Sequence, residues 1–227
     1  VGLAAAQLAV AGLAAGLELF GPAREAVASP VGALLVDPLA AALLGVSVAI
    51  GGPIVVYALG YEPAHLAHRG LPAERTAAFL GWLLVFVSAM HLLVLADDLR
   101  LLVVGWEATT LCSFILIGFD GDGAATMAAR RALAYNLAGW VGLGVALLLA
   151  GPGARLSELI AGGDGVAGFA LPFILAGCIV AAATKSALVP FHPLLLGAMV
   201  AAAPVSALLH ASAMVKAGSY LLLRLAP

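Results

Sequence analysis

The sequence predicts an all-α protein that crosses a membrane several times, and three observations carry that prediction. Of 227 residues, 64% are hydrophobic and 10% are charged, whereas a soluble domain carries about 25% charged residues. Mean hydropathy is +1.15. The apolar residues also fall into several long runs rather than one. Each run is near the roughly 20 residues that cross the hydrocarbon core as a helix. Net charge is −2, which leaves no basic face for nucleic acid.

Seven spans follow from these runs, at about 2–20, 38–60, 77–96, 99–118, 131–150, 167–189 and 204–223. The first is Ala-rich and lacks a basic leader, so it reads as a transmembrane helix rather than a signal peptide. Asp37 and Pro38 supply an N-cap and a first-turn proline for the second. Residues 61–76 read as a solvated loop. Glu62, His65 and His68 in it resemble a loose metal triad without a fourth ligand. Asp97 and Asp98 make a tight turn, so the third and fourth spans are antiparallel neighbours, and these carboxylates can cap the next helix. The 119–130 segment is rich in Gly and Asp, and 118–123 lacks the GKS/T ending of a phosphate loop. The loop at 151–166 holds Arg155, Glu158 and Asp164.

The ends and the charges add less. The chain lacks an initiator Met and stops at Pro227 straight after an apolar run, so it reads as part of a longer polypeptide. Arg69, Arg75, Arg130 and Arg131 fall on one side and Arg24, Arg100, Arg155 and Arg224 on the other. Four against four does not decide orientation, although the first set clusters in two loops and leans that side toward the cytoplasm. Cys112 and Cys178 lie far apart in apolar runs and read as small buried hydrophobes. No cofactor ligand set is visible.

Ionisable residues inside spans are the informative ones. A charge at the bilayer centre costs roughly 2.5–3.5 kcal/mol on insertion scales, so such residues face the bundle interior, pair, or line a hydrated cavity. Glu107 sits near the middle of 99–118, among Leu102, Val103, Trp106 and Leu111. Burial favours the neutral form of a carboxyl and a nearby ammonium favours its charged form. A carboxyl poised between the two changes protonation when the ammonium moves. Lys185 supplies a candidate ammonium. Pro190, His192, Pro193 and Gly197 follow it and predict a broken helix near 184–197. Transporters use such breaks to present helix ends to ions. The last span carries His210 and Lys216, with Pro204 in its first turn. In a regular helix these two would lie about 120° apart. A buried His can pass a proton through its two ring nitrogens. Glu107 and Lys216 are also compatible with static pairs that fix helix packing, Lys185 with a side chain that snorkels outward from a helix ending at the interface, and His210 with a hydrogen-bonded packing residue. His91, alone on an apolar run, reads as a packing residue.

The blocks LADDLRLLVVGWEATTLCSFILIGF (95–119) and TKSALVPFHPLLLGAMVAAAPVSALLHASAMVKAGSYLLLRLAP (184–227) resemble the antiporter-like subunits of complex I and of Mrp-type cation/proton antiporters. WEATTLCSF, LSEL and MVKAG look most like the large A subunit of Mrp. The sequence departs from the family pattern at Leu194, Leu196, Ala202 and Ala203, which stand where Trp, Pro, Pro and Thr are usual. The resemblance implies one half of an inverted-repeat fold with a discontinuous helix. Residues 1–76 would be N-terminal transmembrane helices, and 77–227 the first five-helix repeat, its counterpart lying beyond Pro227. It implies that Glu107 and Lys185 form a switching pair, with Lys216 and His210 next on the proton path. It also implies other membrane subunits as partners, Na⁺ and H⁺ as transported ions, and a bacterial cell membrane.

Three readings of function remain compatible with the sequence. The first is a subunit of a secondary Na⁺/H⁺ antiporter, which is not itself an enzyme. The second is a proton-pumping subunit of an NADH:quinone oxidoreductase or membrane-bound hydrogenase. The third is a structural membrane scaffold whose buried charges only lock helices together.

Overall fold

The computed structural model describes residues 25–29, 32–161, 168–212 and 214–226. The span expected at 2–20 lies outside them. The chain enters through an antiparallel hairpin, β1 (Glu25–Ser29) and β2 (Gly32–Val36), paired from Glu25 with Val36 to Ser29 with Gly32. The sequence reading expected no strand. This short Val- and Leu-bearing stretch outside the first helix satisfies its backbone by self-pairing, and the Ala33 carbonyl accepts from the amides of Asp97 and Asp98.

Among the described residues, four helices are long and apolar enough to cross a membrane: α1 (Pro38–His68), α2 (Arg75–Leu95), α3 (Leu99–Ile117) and α4 (Gly123–Ala150). Each start follows from local chemistry. The Asp37 side chain accepts from the Ala40 amide at 2.8 Å, Asp98 from Arg100 at 2.8 Å, and Asp122 from Ala125 at 2.7 Å. Asp122 starts α4 eight residues before the predicted 131. Helix α1 corrects a second expectation. It runs through Pro53 and Pro63 to His68, so Glu62, His65 and His68 are helical, not loop. Its buried stripe of Ala58, Glu62 and Leu66 continues the spacing of Leu44, Ser47, Gly51 and Val55, and that packing outweighs the proline interruption.

The short helix α5 (Leu156–Ile160) sits at the turn between α2 and α3. Asp97 holds it from a distance in sequence, accepting from the Ser157 amide at 2.9 Å and the Ser157 hydroxyl at 2.8 Å. The two aspartates of this turn therefore cap two different helices.

Helix α6 (Leu171–Lys185) packs on α4 through glycines. A Cβ on Gly142 would meet the Gly177 carbonyl oxygen at 2.6 Å, so only glycine permits this approach. The chain then breaks as the prolines predict. Ala187 adopts φ +51°, the Leu188 amide donates to the Ala183 carbonyl at 2.9 Å, and the Ala187 amide to Thr184 at 3.1 Å. This pair of reversed bonds closes the open end of α6. Helix α7 (Pro193–Ala198) resumes after the break. The expected last span is a composite of α8 (Ala203–Ala207), a π-helical turn (Leu208–Ser212) and α9 (Met214–Leu225). Gly218 of α9 presses on the Ala182 carbonyl and on Ser186, and the Ser186 hydroxyl donates to the Val215 carbonyl at 2.8 Å. The break is thus clamped by α9.

Candidate functional site

Lys185 is the last residue of α6, and its side chain is fully buried. Its ammonium donates to the Trp106 carbonyl oxygen at 3.0 Å and to the Thr110 hydroxyl at 2.8 Å, and lies 5.2 Å from the centre of the Trp106 ring. The Thr110 hydroxyl in turn donates to the Trp106 carbonyl at 3.1 Å, and Thr109 donates to the same carbonyl at 2.7 Å. The C-terminal end of a helix is also a favourable place for a cation. Uncharged oxygens and an aromatic face therefore hold this ammonium in the interior.

Glu107 follows Trp106 on α3 and is half-buried. It lies within electrostatic reach of Lys185. No direct ion pair joins the two, and Glu107 Oε1 is buried without a hydrogen-bond partner among the described residues. The structure brings the predicted carboxylate and ammonium to one region with the contact open. Lys185 is anchored elsewhere, and one oxygen of Glu107 is unsatisfied.

His210 lies in the π-helical turn, half-buried, with a buried Nε2 that has no partner among the described residues. The π turn changes the helical phase between His210 and Lys216, so the regular-helix angle does not apply. Lys216 is half-buried on α9 and lines a small cavity with Ser47 of α1 and Met90, His91 and Val94 of α2. His91 Nε2 and Ser47 Oγ are 3.1 Å apart across the two helices. His91, expected as a packing residue, is buried, hydrogen-bonded and beside a candidate lysine. Its only sequence signal was an ionisable side chain inside an apolar run. At the break, Pro190 and His192 are exposed and Pro193 is half-buried.

Sequence reasoning underrated a further group at the opposite end of α1. Glu62 is completely buried, and neither carboxylate oxygen has a hydrogen-bond partner among the described residues. Nearby, His65 Nε2 meets both oxygens of Asp120 at 3.1 Å, and Arg69 binds Asp120 at 2.8 Å and Asp122 at 2.7 Å. Among the described residues no group of three or more His, Cys, Asp or Glu side chains is arranged to hold a metal ion.

The family model described as NADH:quinone oxidoreductase/Mrp antiporter, TM, matches residues 96–227, more than half of the chain and all of the Glu107–Lys216 region. The chain belongs to this family. It is 38% identical over 187 residues to Na(+)/H(+) antiporter subunit A1 of Staphylococcus haemolyticus, covering 78% of this chain and 22% of that protein. It is 37% identical over 199 residues to NADH-quinone oxidoreductase subunit L of Mycobacterium tuberculosis, covering 86% of this chain and 30% of that protein. A chain in the structure of the Mrp complex from Dietzia sp. superposes with TM-score 0.72 at 33% identity, over 96% of this chain and 24% of that one. This member of the antiporter family thus spans about a quarter of the length of the proteins it matches. It is a multi-pass protein of the cell membrane.

Proposed function

We propose that the chain is part of the large subunit of a bacterial multi-subunit Na⁺/H⁺ antiporter and carries part of its ion path. One observation carries this reading: Lys185 is held by uncharged oxygens while the neighbouring Glu107 keeps a buried, unsatisfied oxygen. An ammonium that swings from Trp106 and Thr110 toward Glu107 would favour the ionised carboxylate, and its return would favour the protonated one. Proton uptake and release then follow lysine position. The end of α6 stays clamped by α9, and the flexible four-carbon side chain of Lys185 lets its ammonium move. His210 and Lys216 take the next positions, and the small cavity beside Lys216 places Ser47 and His91 near it among Leu43, Leu44, Met90 and Val94. In this reading 1–76 are N-terminal helices and 77–227 the first five-helix repeat. Other membrane subunits are partners and Na⁺ and H⁺ are the ions.

The second reading, a proton-pumping subunit of a redox enzyme, is favoured by the 86% coverage of this chain in the alignment with the mycobacterial oxidoreductase subunit. The same residues would then be driven by electron transfer in partner subunits. Everted vesicles carrying the full-length subunit in its assembled complex separate the readings. Added Na⁺ should collapse an imposed proton gradient, and Glu107→Gln or Lys185→Ala should slow that by about tenfold or more. Full Na⁺-driven rates in both variants would remove the ion-path role and leave a scaffold. Proton movement that needs NADH and ignores Na⁺ would select the redox reading.

A further inference from the structure

The buried end of α1 holds a carboxyl that the ion path above does not use. Glu62 lies on the same buried stripe as Ala58 and Leu66, with none of its surface exposed. Among the described residues, both of its oxygens lack a hydrogen-bond donor, and the hydroxyl of Thr76 at the start of α2 is likewise buried and unpartnered. Native structures rarely leave buried polar atoms unsatisfied, and an ionised carboxylate without a donor is the costliest case, so the two Glu62 oxygens call for a proton.

Three charged groups act on Glu62, one each from α1, α2 and the turn between α3 and α4. His65 is one turn along α1, Arg75 starts α2, and Asp120 lies in the turn between α3 and α4. Each is already engaged. His65 bridges to Asp120 through both of its oxygens at 3.1 Å. Arg69 is divided between Asp120 and Asp122. Arg75 donates to the Phe119 carbonyl and stacks 4.7 Å over the Phe119 ring. Glu62 is left with neither a counter-ion in contact nor a donor.

We propose that Glu62 is a proton-binding site, reached from the aqueous surface through the His65–Asp120 pair. A proton on one carboxylate oxygen removes the charge and turns an orphaned acceptor into a donor. His65 is suited to deliver it. Its side chain is 18% exposed, its Nε2 faces Asp120, and the Tyr61 hydroxyl lies 3.4 Å from its Nδ1. His65 stands three residues on from Glu62, on the next turn of α1 where helix side chains neighbour one another, and its imidazole can take up and release a proton there once it turns from the Tyr61 hydroxyl. Asp120, whose side chain is 7% exposed, holds the ring in position and stabilises its charged form during transfer. The Arg69 contacts with Asp120 and Asp122 anchor this entrance to the start of α4. The inference stands on the burial of Glu62, its unpartnered oxygens and the placement of His65 one turn away, and does not depend on whether Na⁺ is exchanged.

Infrared difference spectroscopy tests this on the full-length subunit in its assembled complex, stepping pH and reading the carbonyl stretch of protonated carboxyl groups. The expected result is a band that rises and falls reversibly with pH and is lost in Glu62→Gln. A Glu107→Gln variant should leave that band in place, which separates this site from the ion path. His65→Gln should slow its appearance after a pH jump, and Asp120→Asn should shift its midpoint. These two surface-linked variants carry the test if Glu62→Gln fails to assemble. Spectra of wild type and Glu62→Gln that superpose across pH, or a Glu62 band indifferent to His65 and Asp120, would overturn the proposal.

Discussion

At the scale of single residues, the contacts of Lys185 decide more than its position in the sequence. Its ammonium has a carbonyl, a hydroxyl and an indole face, and Thr110 is the partner that a side-chain change can remove. Thr110→Val keeps the shape and deletes the oxygen. It should destabilise the protein by about 1–3 kcal/mol, because a buried donor is left unmade. Thr110→Ser should restore most of that stability. Unfolding midpoints of the purified complex measure both, and a Val variant as stable as wild type would show that Lys185 finds another partner without cost. Apolar flanks and the WEATT block marked Glu107 and Lys185 as candidates from sequence. The open contact between them was not legible, because it depends on how α6 ends relative to Trp106. Glu62 was misread for a simpler reason. Its neighbours Pro63, His65, His68 and Arg69 read as loop by composition, and only packing of α1 against the bundle reveals a buried face there.

At the scale of elements, the starts of α1 and α3 were legible, the start of α4 was missed by eight residues, and the contacts that hold α5 and the end of α6 were not legible. Asp37, Asp98 and Asp122 cap α1, α3 and α4 as short-range chemistry dictates. The Arg100 guanidinium, followed by the backbone amides of α3, holds the Asp98 carboxyl below its ordinary range. A carboxyl depressed on folding stabilises the protein fully above the ordinary carboxylate value near 4, and that contribution is lost as pH falls through the depressed value. The first turn of α3 should therefore open more readily under acid than at neutral pH, read as faster hydrogen exchange at the Arg100 amide after correction for intrinsic rates. Asp98→Asn should keep a cap while abolishing the acid dependence, and Asp98→Ala should cost about 1 kcal/mol at neutral pH. Unchanged protection down to strong acid in wild type would contradict the assignment. The ends behave differently because they are decided by contacts far along the chain. The closure of α6 is clamped by Gly218 and Val215 of α9, and α5 is held by Asp97 from the α2–α3 turn.

At the scale of the whole molecule, the last described helix returns to the first. Arg224 of α9 binds both oxygens of Asp37, stacks 5.1 Å from the Tyr220 ring and donates to its hydroxyl at 2.9 Å. Tyr220 donates in turn to the Val94 carbonyl at 2.6 Å. The pair is only 10% and 13% exposed, so losing one partner strands the other. Arg224→Gln should cost roughly 3 kcal/mol, and adding Asp37→Asn should recover part of it. Unfolding midpoints of the four members of this cycle check the coupling, and simple additivity would show that the two residues act independently.

Hydropathy and the dearth of charge were enough to establish a membrane-crossing helical protein, since each span must be apolar and near 20 residues long whatever it packs against. The prolines after Lys185 were enough to predict a break, because a proline removes a backbone donor wherever it stands. Helix packing decided the rest. It withdrew Glu62 from solvent, set Lys216 beside His91 and Ser47, replaced a regular last span with a π turn, and kept Lys185 on Trp106 and Thr110 rather than on Glu107. Those outcomes depend on which faces of distant helices meet, and local sequence carries no distance between residues far apart along the chain.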